Sequence, residues 1–415
     1  MAMLTRRTLL ASAALTPLAS ALANAQAGKE VVIGAIYPFT GSGAQVGVDA
    51  RYALETAADL INEVHQLDLP LARTAGLPNL GGAKIKLVYA DHQADPQKGR
   101  AEAERLITQD KVAALIGTYY SSVAAVVSQV AERYQVPFVA AESSSPSLHQ
   151  KGLKFFFRPG PHDEMYSVAM FDFLKYVRSK YPGTANTVAL LYEDTLFGND
   201  TSKIQRQLAE QQKVEIVADI KYRANSPSLS SEVQLLKSKN PDVILATSYT
   251  TDAILLVRTM NELGFKPKGI ISQNGGFIEP AFLTAVGAQA DGIISRASFV
   301  LDLAASRPSL KAANELFRKR SNKDLNDNTA RELMALIILA DAINRAKDTK
   351  GTAIQAALRA TDIPGQQTIM PWARVTFGPD GQNTSISPVM MQYGAGEYRT
   401  VWPDDVATRP LKWPL

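Results

Sequence analysis

"VAALIGTYYSSVAAVVSQVAERYQVPFVAAESSSPSL" runs from Val112 to Leu148. An apolar run, Val112 to Ile116, stops at Gly117. After two tyrosines and two serines, Val123, Val127, Val130 and Tyr134 recur at helical spacing over Ser121 to Tyr134. A second apolar run, Val136 to Ala141, follows and ends in Glu142 and three serines. Two nearly continuous apolar strands joined by an amphipathic helix make a βαβ unit, the signature of a parallel sheet covered on both faces.

The same alternation extends in both directions. Val31–Tyr37 and Ile85–Ala90 read as strands, and 44–64 and 96–108 as helices. Beyond residue 160, strands at 187–192, 214–220, 242–247 and 269–272 alternate with helices at 163–180, 197–211, 230–239 and 252–263. After Gly292 the chain turns helical at 310–320 and 329–346. From Trp372 on it reads as strand pairs around the turn "GPDG" at 378–381. Two α/β units, a helical segment and a strand-rich tail result. The stretch "LDLPLARTAGLPNLGG", 67–82, reads as a loop insertion.

Composition bounds the function. The 415 residues are 46% hydrophobic and 20% charged, and Lys plus Arg exceed Asp plus Glu by 44 − 40 = +4. Arg6 and Arg7 fall in an N-terminal segment with a short apolar stretch and A-x-A sites at 23–27, which reads as a cleaved export signal over 1–27. Arg6-Arg7 also resembles a twin-arginine signal. The mature chain is then near neutral, which speaks against a nucleic-acid partner. No later apolar run spans a bilayer, so the protein is not expected to be an integral membrane protein. The chain has no cysteine. Disulfides, thiolate metal sites, cysteine nucleophiles and a lipid anchor are excluded, and a soluble periplasmic protein is expected.

In open parallel sheets, ligands bind outside the carboxyl ends of the strands. Those ends read "YPFTGSGAQVG" (37–47), "GTYYSS" (117–122), "AESSSPS" (141–147), "EDTLFGND" (193–200), "TSYTTD" (247–252) and "SQNGGF" (272–277). They are rich in hydroxyls, amides, aromatics and glycine, and poor in acid–base groups. Helix N-termini near 121, 146 and 250 add free N–H groups suited to a carboxylate. Singly, each serine also reads as a helix cap and each tyrosine as core or surface. Enzyme patterns fail. Val46 stands where G-x-G-x-x-G needs its third glycine, and no P-loop or G-x-S-x-G occurs. None of His65, His92, His149 and His162 has metal spacing. Asp194 beside Glu193 makes a poor catalytic pair. No cofactor or metal is expected.

Together with "VVIGAIYPFTGSGAQVG", "KIKLVYADHQADPQKGRAEAERLI", "FFFRPGP" and "VALLYEDTLFGND", these segments resemble the periplasmic leucine/isoleucine/valine-binding proteins, the type I substrate-binding components of ABC transporters. The resemblance implies an α/β fold of two Rossmann-like lobes with parallel sheets, joined by a three-segment hinge. It places 28–160 with 298–368 in lobe 1, and 161–297 with 369–415 in lobe 2. It implies a monomeric, non-enzymatic receptor that closes on a small carboxylate and delivers it to an ABC permease and its ATPase subunits. Carried over, ligand contacts fall on Ser121 or Ser122, on Glu142, Ser143 and Ser144, and on Phe197 and Tyr249. Asn274 matches the family's acid for a ligand ammonium. An amide there leaves two ligands open: an apolar amino acid whose amine finds Glu142 or Glu193, or an amine-free acid such as an aromatic one. Tyr119, Tyr120 and Phe277 would wall the ligand, with Ser42 beside them. An exported sensor or enzyme on the same scaffold is the alternative.

Overall fold

The computed structural model describes residues 29–415, and the export signal read over 1–27 lies outside them. β1 (Glu30–Tyr37), β2 (Lys84–Asp91), β3 (Ala114–Gly117), β4 (Phe138–Ala140) and β5 (Phe156–Phe157) form one sheet in the order β2-β1-β3-β4-β5. Every pairing in it is parallel. The strands are connected through α1 (Ala44–Asn62), α2 (Pro96–Thr108) and α3 (Ser121–Tyr134). Continuous apolar strands dictate this arrangement, because both faces must be covered.

The chain then enters a second sheet. α4 (Asp163–Lys180) leads to β6 (Thr187–Glu193), α5 (Leu196–Gln211), β7 (Glu215–Tyr222), α6 (Ser230–Lys239), β8 (Val243–Thr247), α7 (Thr250–Glu262), β9 (Gly269–Ser272), α8 (Pro280–Val286) and β10 (Ile294–Ala297). The sheet order is β14-β13-β10-β9-β8-β6-β7. Its last two members, β13 (Val389–Gly394) and β14 (Glu397–Trp402), are antiparallel and come from the tail.

Between β10 and β13 the chain returns to the first sheet. α9 (Pro308–Ser321), α10 (Asp327–Ala346) and α11 (Gly351–Arg359) pack into its core, with Ile369, Met370, Trp372, Val375 and Ile386. β11 (Asp362–Pro364) and β12 (Arg374–Thr376) form a small antiparallel pair. The chain therefore passes between the two sheets three times. α10 is buried on nearly all sides, as its run "LMALIILA" requires.

Two expectations change. The tail's strand pair turns at Ala395–Gly396, since β13 and β14 register Gly394 against Glu397. "GPDG" closes only a bridge between Phe377 and Asn383. The 67–82 stretch is more than a surface loop. Leu69, Ala72 and Leu77 are buried, the Asp68 N–H donates to Ser309 Oγ, and Asn79 bonds Asn344. It pins α1 against the returning helices.

Candidate functional site

The strand orders fix where a crevice opens. In the first sheet, β1 is flanked by β2 on one side and β3 on the other. In the second, β6 is flanked by β7 and β8. At each reversal the outgoing loops diverge and leave a cleft at the carboxyl ends of the strands. The loops after β1 and β3 carry Ser42, Tyr119 and Tyr120. Those after β6 and β8 lead to Phe197 and Tyr249. The two clefts face one another.

Tyr119, Ser121, Glu142, Ser144, Phe197 and Tyr249 line one cavity of about 20 Å³, together with Gly275, Arg296, Asn328 and Arg331. Ser42, Tyr120, Ser122 and Tyr249 line an adjoining hollow of about 110 Å³ with Glu193 and Asp252. The sheets thus bring nine of the twelve candidate contact and wall residues to one cleft. Ser143 lies beneath it, wholly buried, within 3.4 Å of the Thr118 hydroxyl and with its carbonyl accepting from Arg158 Nη1. Asn274 is also buried, and its Nδ2 donates to Asp327 Oδ2 at 2.8 Å. Phe277 belongs to the second sheet's core, 5.3 Å from the Phe282 ring, so it packs the core and does not wall the cleft. A larger hollow of about 500 Å³ between Ile278, Phe299 and Tyr398 contains none of the candidate residues.

The aromatic residues interlock across the cleft. Tyr119 and Tyr120 meet edge to face at 5.1 Å, and Tyr249 contacts both rings and Phe197. Such geometry satisfies ring quadrupoles while covering apolar surface. Backbone strain marks both sides: Tyr119 has φ 69°, and Asn274 has φ 63° with ψ −108°. Each follows the end of a cleft strand, and neither is glycine, so each carries a local cost that surrounding packing must offset.

Ser121 opens α3, and no side chain caps that helix. The serine's hydroxyl accepts from the Ser145 N–H at 3.3 Å and keeps its own proton for another acceptor. Burial pushes the Tyr249 phenol well above its ordinary range, and the Ser121 N–H works against that shift. Across the same cleft, Ser145 and the Ser147 N–H bond Asp200, and Asn328 Nδ2 donates to Glu279 Oε1 at 2.5 Å.

The acids behind the cavity are held up in pKa. Burial raises Glu142 to about 7, and it raises the neighbouring Glu332 well above the carboxylate range. Two carboxyl groups side by side cannot both ionise cheaply. Tyr37 donates to Glu142 Oε1 at 3.3 Å, while Oε2 has no hydrogen-bond partner. Burial also raises Glu193, against a bond from the Tyr249 N–H. His92 has a structural role. It sits between Thr118 O and the Ala94 N–H, and burial lowers it to about 4. No group of side chains among the described residues has the makings of a metal site.

Sequence reasoning passed over Arg296, Asn328 and Arg331. A signal was present. Arg296 is a lone charge in the apolar "GIISRASFV", and Asn328 and Arg331 head the apolar run of α10 in "NDNTARELMALIILA". A charge inside an apolar element is buried with it, and buried charges need partners.

Residues 30–394 match the family model for periplasmic binding proteins. The chain belongs to the periplasmic binding protein family. Its members are binders, so this binding protein works without catalytic turnover. It is 28% identical over 397 residues to Leu/Ile/Val-binding protein homolog 7 of Brucella suis, covering 94% of this chain and 96% of the relative. Its fold matches a leucine-binding protein of Thermotoga maritima with TM-score 0.76 at 22% identity, over 90% of this chain and 99% of that one. A Rhodopseudomonas palustris solute-binding protein of an ABC transporter, in complex with 3,4-dihydroxybenzoic acid, matches with TM-score 0.73 at 17% identity, over 89% and 95% of the chains. The binding protein thus has the two-lobed α/β fold of type I periplasmic binding proteins. No helix among the described residues is long and apolar enough to cross a membrane.

Proposed function

We propose that this binding protein is the periplasmic solute-capturing component of an ABC importer. Its ligand is a small carboxylate, either an apolar amino acid or an aromatic acid. The observation that carries this is the convergence of Ser121, Ser144, Tyr119, Phe197 and Tyr249 from two sheets on one cavity. Serine hydroxyls at a helix N-terminus take the carboxylate, and the aromatic rings take the apolar body. Ligand contacts to both lobes favour the closed arrangement over the open one. The closed monomer then presents a joint surface to a membrane permease coupled to ATPase subunits.

We place the lobe boundaries by core membership. Lobe 1 comprises residues 29–160 and 298–386, and lobe 2 comprises 161–297 and 389–415. The third crossing, drawn near Thr368 from the resemblance, moves to 386–389 because Trp372, Val375 and Ile386 pack with the first sheet. Export to the periplasm is supported by the N-terminal segment and the family.

A thermal-shift screen of the mature protein tests the reading, with leucine, isoleucine, phenylalanine, benzoate and 4-hydroxybenzoate. A ligand at about 100 times its Kd adds about 2.7 kcal/mol to stability, a rise of several degrees. No shift with any of these compounds would refute the proposal. Conversion of a bound compound to product would favour the enzyme alternative.

A further inference from the structure

Arg296 ends β10 and is 2% exposed. Its guanidinium carbon stacks 3.4 Å from the centre of the Tyr166 ring. Asp163 Oδ1 stands 3.7 Å from Nη2, and Asp327 Oδ2 stands 3.7 Å from Nη1. Both distances exceed hydrogen-bond length. Nε and Nη1 are buried without a partner. Arg296 is among the residues that line the cavity of Ser121 and Ser144.

Its neighbours are more fully spent. Arg331 spends Nε on Asp327 O, Nη1 on the carbonyls of Ala141 and Glu142, and Nη2 on Asn328 Oδ1. Arg158 uses Nε and Nη1 on Gln382, Ser143 and Ser145; its Nη2 has no partner, but Arg158 does not line the cavity. The flanking aspartates are also engaged elsewhere. Asp327 Oδ1 accepts from the Ser298 N–H and hydroxyl, and Oδ2 accepts from Asn274 and lies 3.1 Å from Arg331 Nη2. Asp163 Oδ1 accepts from Gln273, while its Oδ2 has no partner.

A buried cation with unspent N–H groups at a cavity wall is matched to an anion, and a planar carboxylate fits the guanidinium fork. Two arginines, Arg296 and Arg331, line this cavity against one carboxyl group, Glu142, whose Oε2 has no partner. The wall therefore carries more positive than negative charge and suits an ammonium poorly, and burial, which raises Glu142 to about 7 beside Glu332, adds to this. We propose that Arg296 is the counter-ion of the ligand carboxylate and selects acids that lack an α-ammonium group. This rests on the reading of the cleft as the ligand site, and it narrows that reading to amine-free acids.

The test is calorimetric titration of the mature protein with matched sets: 4-methylpentanoate, its amide and leucine; 3-phenylpropanoate, its amide and phenylalanine; benzoate and benzamide. In at least one set the acid binds at least about tenfold more tightly than its amide and any α-amino analogue, the scale of a charge-assisted bond. Arg296→Gln weakens that acid by at least about tenfold, and Arg296→Lys recovers part of the loss. Leucine or phenylalanine binding as tightly as its amine-free acid overturns the inference. So does an Arg296→Gln protein that binds the acid within about twofold of wild type. Should Arg296→Gln fail to fold, the wild-type comparison of acid, amide and amino acid decides alone. Ser121→Ala separates the two claims. Weakening by Ser121→Ala but not by Arg296→Gln sinks only the role of Arg296. No effect from either variant, or binding of no compound in the sets, sinks the cleft reading as well.

Discussion

The rings of Tyr120 and Tyr249 meet across the cleft with centroids 4.5 Å apart and planes at 61°. One follows β3 of the first sheet and the other follows β8 of the second, so the contact joins the two places where strand order reverses. Tyr249 also touches Tyr119 and Phe197, which puts it at the centre of the aromatic cluster.

Tyr249→Ala is therefore expected to cost affinity more than stability. A central tyrosine in a desolvated contact is worth about 2 kcal/mol or more, roughly 30-fold in Kd. Calorimetric titration beside a ligand-free melting curve checks this. Unchanged affinity would place the ligand elsewhere.

Glu279 gives a pH prediction. Burial raises its carboxyl from 4.5 to about 7, although the bond from Asn328 works against that shift. Between these values the folded state holds a proton that the unfolded state has lost. The contribution of this group to stability is thus fully present below about 4.5 and is lost as pH rises to about 7, a swing of about 3 kcal/mol. Two partly buried histidines run the other way. His149 and His162, lowered by burial to about 2 and about 3, add stability as pH rises from about 3 to 6.5, where their gain is complete. The clean observable is the difference between Glu279→Gln and wild type in urea unfolding. The variant should gain on wild type from pH 5 to pH 8. A difference that stays flat with pH contradicts the assigned shift.

Asp327 holds the polar end of α10 together through Ser298, Asn274 and Arg331. Asp327→Ala leaves buried Arg296 and Arg331 short of counter-charge, and should cost about 3–5 kcal/mol. Asp327→Asn, which preserves shape, should lose less. Denaturant midpoints of the two variants measure it, and equal, small losses would show that the cluster is not coupled.

Gly117 has φ 142°, and a Cβ there would sit 2.2 Å from the Ile36 carbonyl oxygen. Gly117→Ala must shift β3 away from β1 just where the cleft opens. A stability loss of about 2–4 kcal/mol is expected, from strained backbone and overpacking together. A melting temperature within one degree or so of wild type would contradict this close approach.

The sheet and helix pattern was legible in the sequence because apolar strands and amphipathic helices differ in period. α3 and α4 fall on the residues where the spacing puts them, 121–134 and 163–180. The strand-end loops were legible too, since parallel sheets place ligands there. What the period does not encode is long-range pairing. That Asn274 would be spent on Asp327, 53 residues on, and that Phe277 would turn into the core depend on how the returning helices pack. Arg296 and Arg331 were overlooked for a related reason. Their elements read as ordinary core, and the charge in each had no visible partner in sequence.

The central claim is that two lobes grip one small carboxylate between the start of α3 and the Tyr249 side. Calorimetric titration of wild type and of the Ser121→Ala/Ser144→Ala double variant, with the tightest acid from the matched sets, tests it most directly. The account predicts one ligand per chain, a loss of at least about 30-fold in the variant at about 1 kcal/mol per hydrogen bond or more, and an intact fold by circular dichroism. Affinity within about twofold of wild type in the folded variant would contradict it.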